Sequence, residues 1–160
     1  MPNHCYQKLK FHYHGSANRL DAVFAYLTNS DGLIDFQKII PQPDGIQDPN
    51  PNHLSDSERD WCIENWGTKW NAYNVRKLFR ERWKLGFEFT TAWSVPSPIL
   101  EKIFAMFPDV NKEYVAADDG GWIAEMWQYD SDTATFIKTN FSGESNKFQL
   151  ALFCALNTKY

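Results

Sequence analysis

The segment NWGTKWNA, residues 65–72, gathers the residue types from which recognition sites are built. Trp66 and Trp70 supply flat apolar surface, while Asn65, Thr68, Lys69 and Asn71 supply hydrogen-bonding groups and one cation. A polar rim around an aromatic floor suits a small polar ligand or a peptide, and Trp93 joins these residues as a binding candidate. The same spacing also serves packing. Gly67 is placed to end a helix in the left-handed conformation, and Trp66 and Trp70 can fold over a sheet edge and lock the chain down. The expected order is lock first, pocket second.

A second constellation is cationic. Lys8, Lys10, His12, Arg76, Arg80 and Arg82 are expected on one face of a sheet, where they would attract phosphate. Recognition of single-stranded bases on such a sheet needs aromatic rings among the cations. The strand aromatics Phe11, Phe87 and Phe89 read instead on the opposite, helix-covered side, so nucleic acid is the weaker expectation. His12 and His14 stand two apart, with His4 and Cys5 close in sequence, but no further zinc ligands are signalled and no metal is assigned. Pro2 would be an N-terminal base of the tautomerase kind after loss of Met1. Asn3 and His4 follow it where an apolar start is expected, and the chain has no serine elbow, phosphate loop or HExxH. No catalytic residue and no cofactor are assigned. Cys5, Cys62 and Cys154 form no CxxC pair and read as buried thiols.

The elements that must position these residues follow from periodicity. CYQKLKFHYH (5–14) sets Cys5, Leu9, Phe11 and Tyr13 on one face and Lys8, Lys10, His12 and His14 on the other, the period of a half-buried strand. After Gly15-Ser16, the stripe Leu20, Val23, Phe24 and Leu27 predicts a helix. LIDFQKII (33–40) reads as a short strand or extended segment, and the proline-rich stretch 41–52 as loop. Ser55-Asp56-Ser57-Glu58 is a capping box that starts a helix ending at Gly67. Two antiparallel strands then follow, beginning at Tyr73 and Leu85 and joined near Arg82–Lys84. Ser97 caps a helix with Pro98 at its first position, its buried stripe running Leu100, Ile103, Phe104 and Phe107. EYVAAD (113–118) is a fourth strand. A hairpin of WIAEMWQY (122–129) with TATFIKTN (133–140) and a helix over 145–156 complete the reading.

The core order is βαββαβ, the split βαβ arrangement of ferredoxin-like folds. One α+β domain over 1–160 is expected, with an insertion at about 29–72 and a C-terminal β-hairpin plus helix at about 121–160. Its 160 residues, 16% aromatic, suffice for a sizeable core. No apolar run could span a bilayer, and MPNHCYQKLK lacks the apolar stretch of a signal peptide, so no membrane role and a cytoplasmic location are expected. The net charge of −4 is unevenly spread: residues 31–64 carry −6, residues 65–84 carry +5 and residues 101–132 carry −6. Such blocks make a dipolar surface that can orient a charged partner.

MPNHC at the start, IIPQPDG at 39–45, NWGTKWNA, TAWSVPSP at 91–98 and FPDVNKEYVAADDG at 107–120 occur in that order. Together they resemble the YubB-type ferredoxin-like family of phages, plasmids and integrated mobile elements, over roughly residues 1–120. His4 stands where that family has tryptophan, and Val95 where it has a second proline. The resemblance implies the context of a mobile element in a bacterial host and no particular chemistry; with that context, a non-catalytic accessory protein that binds a host or element-encoded macromolecule is expected, with a protein as partner. The acidic blocks add the expectation of counter-defence, carboxylates occupying a cationic surface meant for DNA. The alternatives are a small-ligand or peptide-binding module at NWGTKWNA and, more remotely, an N-terminal-proline enzyme.

Overall fold

The computed structural model describes residues 3–16, 18–46 and 54–141. Its elements are β1 (His4–His12), α1 (Asn18–Leu27), α2 (Phe36–Ile39), α3 (Asp56–Trp66), β2 (Tyr73–Arg80), β3 (Lys84–Ala92), α4 (Ser97–Met106), β4 (Asn111–Asp118), β5 (Ala124–Asp130) and β6 (Thr135–Asn140). The strands form one antiparallel sheet in the order β2-β3-β1-β4-β5-β6. The first four places are the split βαβ order, and β5 and β6 extend the sheet past β4. The helix expected over 145–156 falls outside the described residues, as do Pro2 and Cys154. No helix among the described residues is long and apolar enough to cross a membrane.

The alternation in β1 decides which face is buried. Cys5, Leu9 and Phe11 lie fully inside, with Phe87, Phe89 and Tyr114 from the flanking strands. The amphipathic stripes of α1 (Leu20, Val23, Leu27) and α4 (Ile99, Leu100, Ile103, Phe104) close over that face. Gln7 also points into this core, where an unpaired amide would be costly. Tyr114 donates to its Oε1 at 2.8 Å, and its Nε2 donates to Thr91 Oγ1, so the buried polar network is paired. Lys112 is likewise buried, its ammonium donating to the carbonyls of Phe107 and Val110 and lying 4.2 Å from the Tyr129 ring centre.

Three local expectations need correction. Residues 33–40 are not a strand: Asp35 accepts from the Gln37 N–H at 2.9 Å and caps the short helix α2. Helix α4 begins one residue early, because the Leu100 N–H donates to the Pro96 carbonyl at 3.0 Å; Pro96 is the cap and Ser97 makes no side-chain capping bond. Strand β2 does not alternate evenly. Its register shifts between Tyr73 and Arg76 and again between Lys77 and Phe79. Phe79 therefore lies over Gly86, where a Cβ would meet its ring at 2.5 Å, and Arg80 turns to the helix side.

Helix α3 keeps its expected ends. Ser55 Oγ accepts from the Glu58 N–H at 3.1 Å, and Gly67, at φ 78°, donates to Ile63 O at 3.1 Å. A Cβ at Gly67 would lie 3.0 Å from Pro98 Cδ and 3.2 Å from the Val95 carbonyl, so strain and crowding coincide there. Gly67→Ala is expected to cost roughly 1–2 kcal/mol from the left-handed backbone alone. In a chain of this size that lowers the melting temperature by about 2–8 °C. A thermal melt no lower than wild type would show that the turn is not under this constraint.

The buried thiols set an alkaline limit. Burial, then the nearby Asp118 charge, pushes Cys5 up to about 12, and burial pushes Cys62 up to about 11, from an ordinary value of 9.0. Unfolded thiols ionise first, so this stabilisation is complete below pH 9 and is lost as pH rises through 11 to 12. Stability measured by denaturant should therefore fall above pH 9, and fall less steeply in a Cys5→Ala/Cys62→Ala variant.

Candidate functional site

NWGTKWNA divides into a buried half and a surface half. Trp66 is 2% exposed, donates from Nε1 to Ile40 O at 2.8 Å, and meets Trp61 and Phe36 edge-on. Thr68 is buried, its hydroxyl donating to Trp70 O at 3.1 Å. Asn65 is turned back along α3, donating to Trp61 O at 3.0 Å. The Asn71 carboxamide accepts from the N–H groups of Phe36 and Ala72 and donates to Asp35 at 2.7 Å, tying α2 to the start of β2. Trp66 and Asn71 tie distant parts of the insertion to one another, while Asn65 and Thr68 bond within their own turn. Of the two tryptophans expected as a lock, Trp66 is buried and Trp70 is not, and the polar groups of Trp66, Thr68 and Asn71 are engaged within the chain.

Lys69 and Trp70 are half-buried. The Lys69 ammonium sits 4.1 Å from the ring centre of Trp93, a cation–π contact. Trp93 is 51% exposed and holds φ at 76°, left-handed backbone that an L-residue rarely adopts. Trp70 lies 6.3 Å from the Tyr73 ring, and Tyr73 lies 5.8 Å from that of His4. The Tyr73 hydroxyl and His4 Nδ1 are hydrogen-bonded at 2.5 Å, and Tyr6 follows at 6.3 Å from His4. Burial raises the hydroxyl pKa of both Tyr6 and Tyr73, with a hydrogen bond from Tyr6 to Asp119 adding to the first.

A backbone chain joins this group to a further indole. The Trp93 N–H donates to Asn3 O at 2.9 Å, Asn3 donates to Asp118 Oδ2 at 2.6 Å, and Asp118 Oδ1 accepts from the Trp122 N–H at 2.8 Å. Trp122 is 79% exposed. One end of the sheet thus carries Trp70, Tyr73, His4, Tyr6, Trp93 and Trp122 from four separate segments, with Lys69 as its cation. Of these, the sequence pointed to Lys69, Trp70 and Trp93. His4 and Tyr6 share the period-two face of Lys8 and were legible as such; Trp122 carried no signal beyond following a turn.

The basic stripe does not assemble. Arg80 pairs with Asp21 at 2.6 Å and covers the Phe24 ring at 4.0 Å, on the helix side. Arg82 lies in the β2–β3 turn over Trp83, 4.4 Å from its centre. Arg76 stays on the opposite face but pairs with Glu88 at 2.7 Å. Lys8, across from Glu88, is 8% exposed, and burial lowers its pKa. Lys10 stands between Gly86 and Glu113. His12 and His14 part company: His12 is 3.9 Å from Glu113, while His14 lies against Trp83. Among the described residues no three His, Cys, Asp or Glu side chains converge as a metal set. His12, Asn111, Glu113, Gln128 and Asp130 line a shallow cleft of about 330 Å³ at the sheet end away from the aromatics.

Fold and site together define a ferredoxin-like domain whose sheet ends in a partly exposed aromatic surface. A family model for the ferredoxin-like domain in Api92-like proteins matches residues 65–144, half of the chain, and the chain belongs to that family. No curated protein and no solved structure matches it.

Trp66 and Trp93 should separate sharply on substitution. Trp66→Ala is expected to cost ~3–5 kcal/mol. Trp93→Gly removes a half-exposed ring and relieves roughly 1–2 kcal/mol of backbone strain, so its melting temperature should stay within a few degrees of wild type. A collapse in stability for Trp93→Gly would assign that residue to packing.

Proposed function

We propose that the chain is a non-catalytic binding module that docks a protein partner on the aromatic end of its sheet. The observation that carries this is Trp93, an indole half in solvent on strained backbone, with a lysine over its face. Strain at an exposed aromatic stabilises nothing in the isolated fold, which is the signature of a position kept for contact. Trp and Tyr are also the residues that dominate binding energy at protein interfaces. The graded exposure, from half-buried Tyr6 and Tyr73 to Trp122, gives a partner an anchored surface rather than loose rings.

The likeness of MPNHC, NWGTKWNA and TAWS to the YubB-type family supports an accessory protein of a phage, plasmid or integrated element, working in the cytoplasm of a bacterial host. Counter-defence by acidic mimicry would draw on α3, where Asp56 and Asp60 are 87% and 71% exposed, although both stand beside Arg59, at 2.8 and 3.3 Å. The block at 101–132 supports it less, because its carboxylates are more deeply set: Asp109, 44% exposed, pairs with Arg19, Glu125, 10% exposed, pairs with Lys138, and Asp118 caps its own turn. The aromatic end is therefore the preferred docking surface.

Affinity capture from a bacterial lysate tests this with three baits: wild type, a Lys69→Glu/Trp93→Gly double variant, and an Asp56→Lys/Asp60→Lys variant. The wild type and the α3 variant should retain a shared protein partner, and the double variant should lose it by at least tenfold. Loss confined to the α3 variant would favour acidic mimicry. Thermal stabilisation of the free chain by a small molecule, lost in the double variant, would favour the ligand-binding alternative.

A further inference from the structure

Cations that lie over aromatic rings in this chain are commonly tied to an oxygen as well. Arg80 over Phe24 pairs with Asp21, Arg19 over Phe107 with Asp109, and Lys138 over Trp127 with Glu125. Lys112, over Tyr129, donates to two carbonyls. Lys69 differs. Its ammonium rests 4.1 Å from the Trp93 ring centre, and among the described residues no carboxylate or carbonyl pairs with it. A cation held at a half-exposed site by the ring alone is weakly held and exchanges readily. Across the start of β1 the charge is negative. The Trp93 N–H donates to Asn3 O at 2.9 Å and the Asp119 N–H to His4 O at 3.1 Å, so indole and carboxylate flank consecutive residues of one strand. Beyond burial, Asp119 contributes to the raised hydroxyl pKa of both Tyr6 and Tyr73, which places its charge at the aromatic group. With Asp118 beside it, two carboxylates there face the one ammonium of Lys69.

Resting on the reading of this end as the docking surface, we propose that the protein partner lays an arginine over the Trp93 ring and that Lys69 holds that place in its absence. A guanidinium is planar, less strongly hydrated than an ammonium, and stacks on an aromatic face. It therefore gains more from the indole than Lys69 does. Asp118 and Asp119, across β1, attract its charge. Lys69 leaves the ring for water easily, since no oxygen holds it. The Trp93 backbone keeps its bond to Asn3 and its left-handed turn while the occupant of its ring face changes. The exchange also discriminates. A neutral side chain has no charge to set against the loss of Lys69 from the ring, and an acidic one meets two carboxylates, so both are disfavoured.

Fluorescence anisotropy of the full chain with two labelled probes tests the exchange: a blocked peptide of alternating arginine and glycine, and the same peptide with glutamate for arginine. The arginine peptide should bind and the glutamate peptide should not. Lys69→Ala should tighten the arginine peptide about two- to fivefold, the strength of one surface cation–π contact. Trp93→Gly should weaken it roughly fivefold or more, and in that background Lys69→Ala should bring no further gain. Neither side chain is fully buried, so both variants should melt near wild type. Lys69→Ala tests the exchange whatever the fate of Trp93→Gly. Weaker arginine-peptide binding by Lys69→Ala, or a preference for the glutamate peptide, would overturn the inference; Lys69 would then be the contact for an acidic partner, with the docking surface intact. Binding indifferent to Trp93→Gly would also overturn it, as attraction to the chain's net charge of −4. So would no binding of the arginine peptide. The docking reading fails separately, if the Lys69→Glu/Trp93→Gly bait keeps the partner captured from lysate.

Discussion

The left-handed backbone at Gly67 is the constraint on which the insertion and the aromatic end both depend. It ends α3 by closing the Gly67 N–H onto Ile63 O, and it turns the chain while Trp66 is still buried beneath Ile40. Ser94, just after the strained tryptophan, donates from its hydroxyl to Gly67 O. The turn after α3 and the turn after β3 are therefore one hydrogen-bonded unit. Only because they meet does Lys69, two residues past the glycine, reach the face of Trp93. Four residues on, Asn71 fixes α2 and the start of β2 with a single carboxamide, and Tyr73 enters the sheet from that anchor. A side chain larger than hydrogen at position 67 would push against Pro98 and the Val95 carbonyl and disturb all of these together.

Stability and display are divided between neighbouring residues of the same type. Trp66 and Trp127 lie among the largest fully buried side chains, each with its indole N–H paired, to Ile40 O and to Glu125. Trp93 and Trp122 have their backbone N–H groups held and their rings outside. Burying an indole releases apolar surface from water and stabilises the fold. Fixing the backbone while leaving the ring exposed contributes little to folding. It removes entropy from the surface in advance, so that less is lost when a partner arrives. The polar chain from Trp93 through Asn3 and Asp118 to Trp122 serves that pre-organisation across three strands.

Regular period and local capping were legible in the sequence because each is decided by near neighbours. The two-residue period of β1, the capping pair Ser55–Glu58 and the glycine stop at 67 all appear where expected. Arg80 was not legible, since register shifts in β2 depend on how its residues meet β3, with Phe79 settling over the space that Gly86 leaves. Gln7 broke the apolar face of β1 on paper, yet belongs inside because Tyr114 and Thr91, far off in sequence, complete its hydrogen bonds. In the candidate site, Lys69, Trp70 and Trp93 could be picked out as types. Their meeting with His4, Tyr6, Tyr73 and Trp122 is a property of strand order, which no local pattern carries.

That strand order also bears on how large the cooperative unit must be. The family match begins at Asn65 and so includes β2 to β6, but not β1 or α1. In the sheet, β3 and β4 do not touch each other as neighbours; β1 lies between them and pairs with both along nearly its whole length. Without β1 the matched segment would be two separate pieces, a β2–β3 hairpin and a β4–β5–β6 meander, each with a raw edge where β1 had been. Neither piece could bury Phe87, Phe89 or Tyr114, whose cover includes Cys5, Leu9 and Phe11. The aromatic end would be divided in the same way, since His4 and Tyr6 come from β1 and Asn3 links Trp93 to Asp118. The physical unit that folds and carries the site thus includes, besides the matched segment, the strand β1 that joins its two halves and the helix α1 that covers them, held by pairing and packing rather than by sequence proximity.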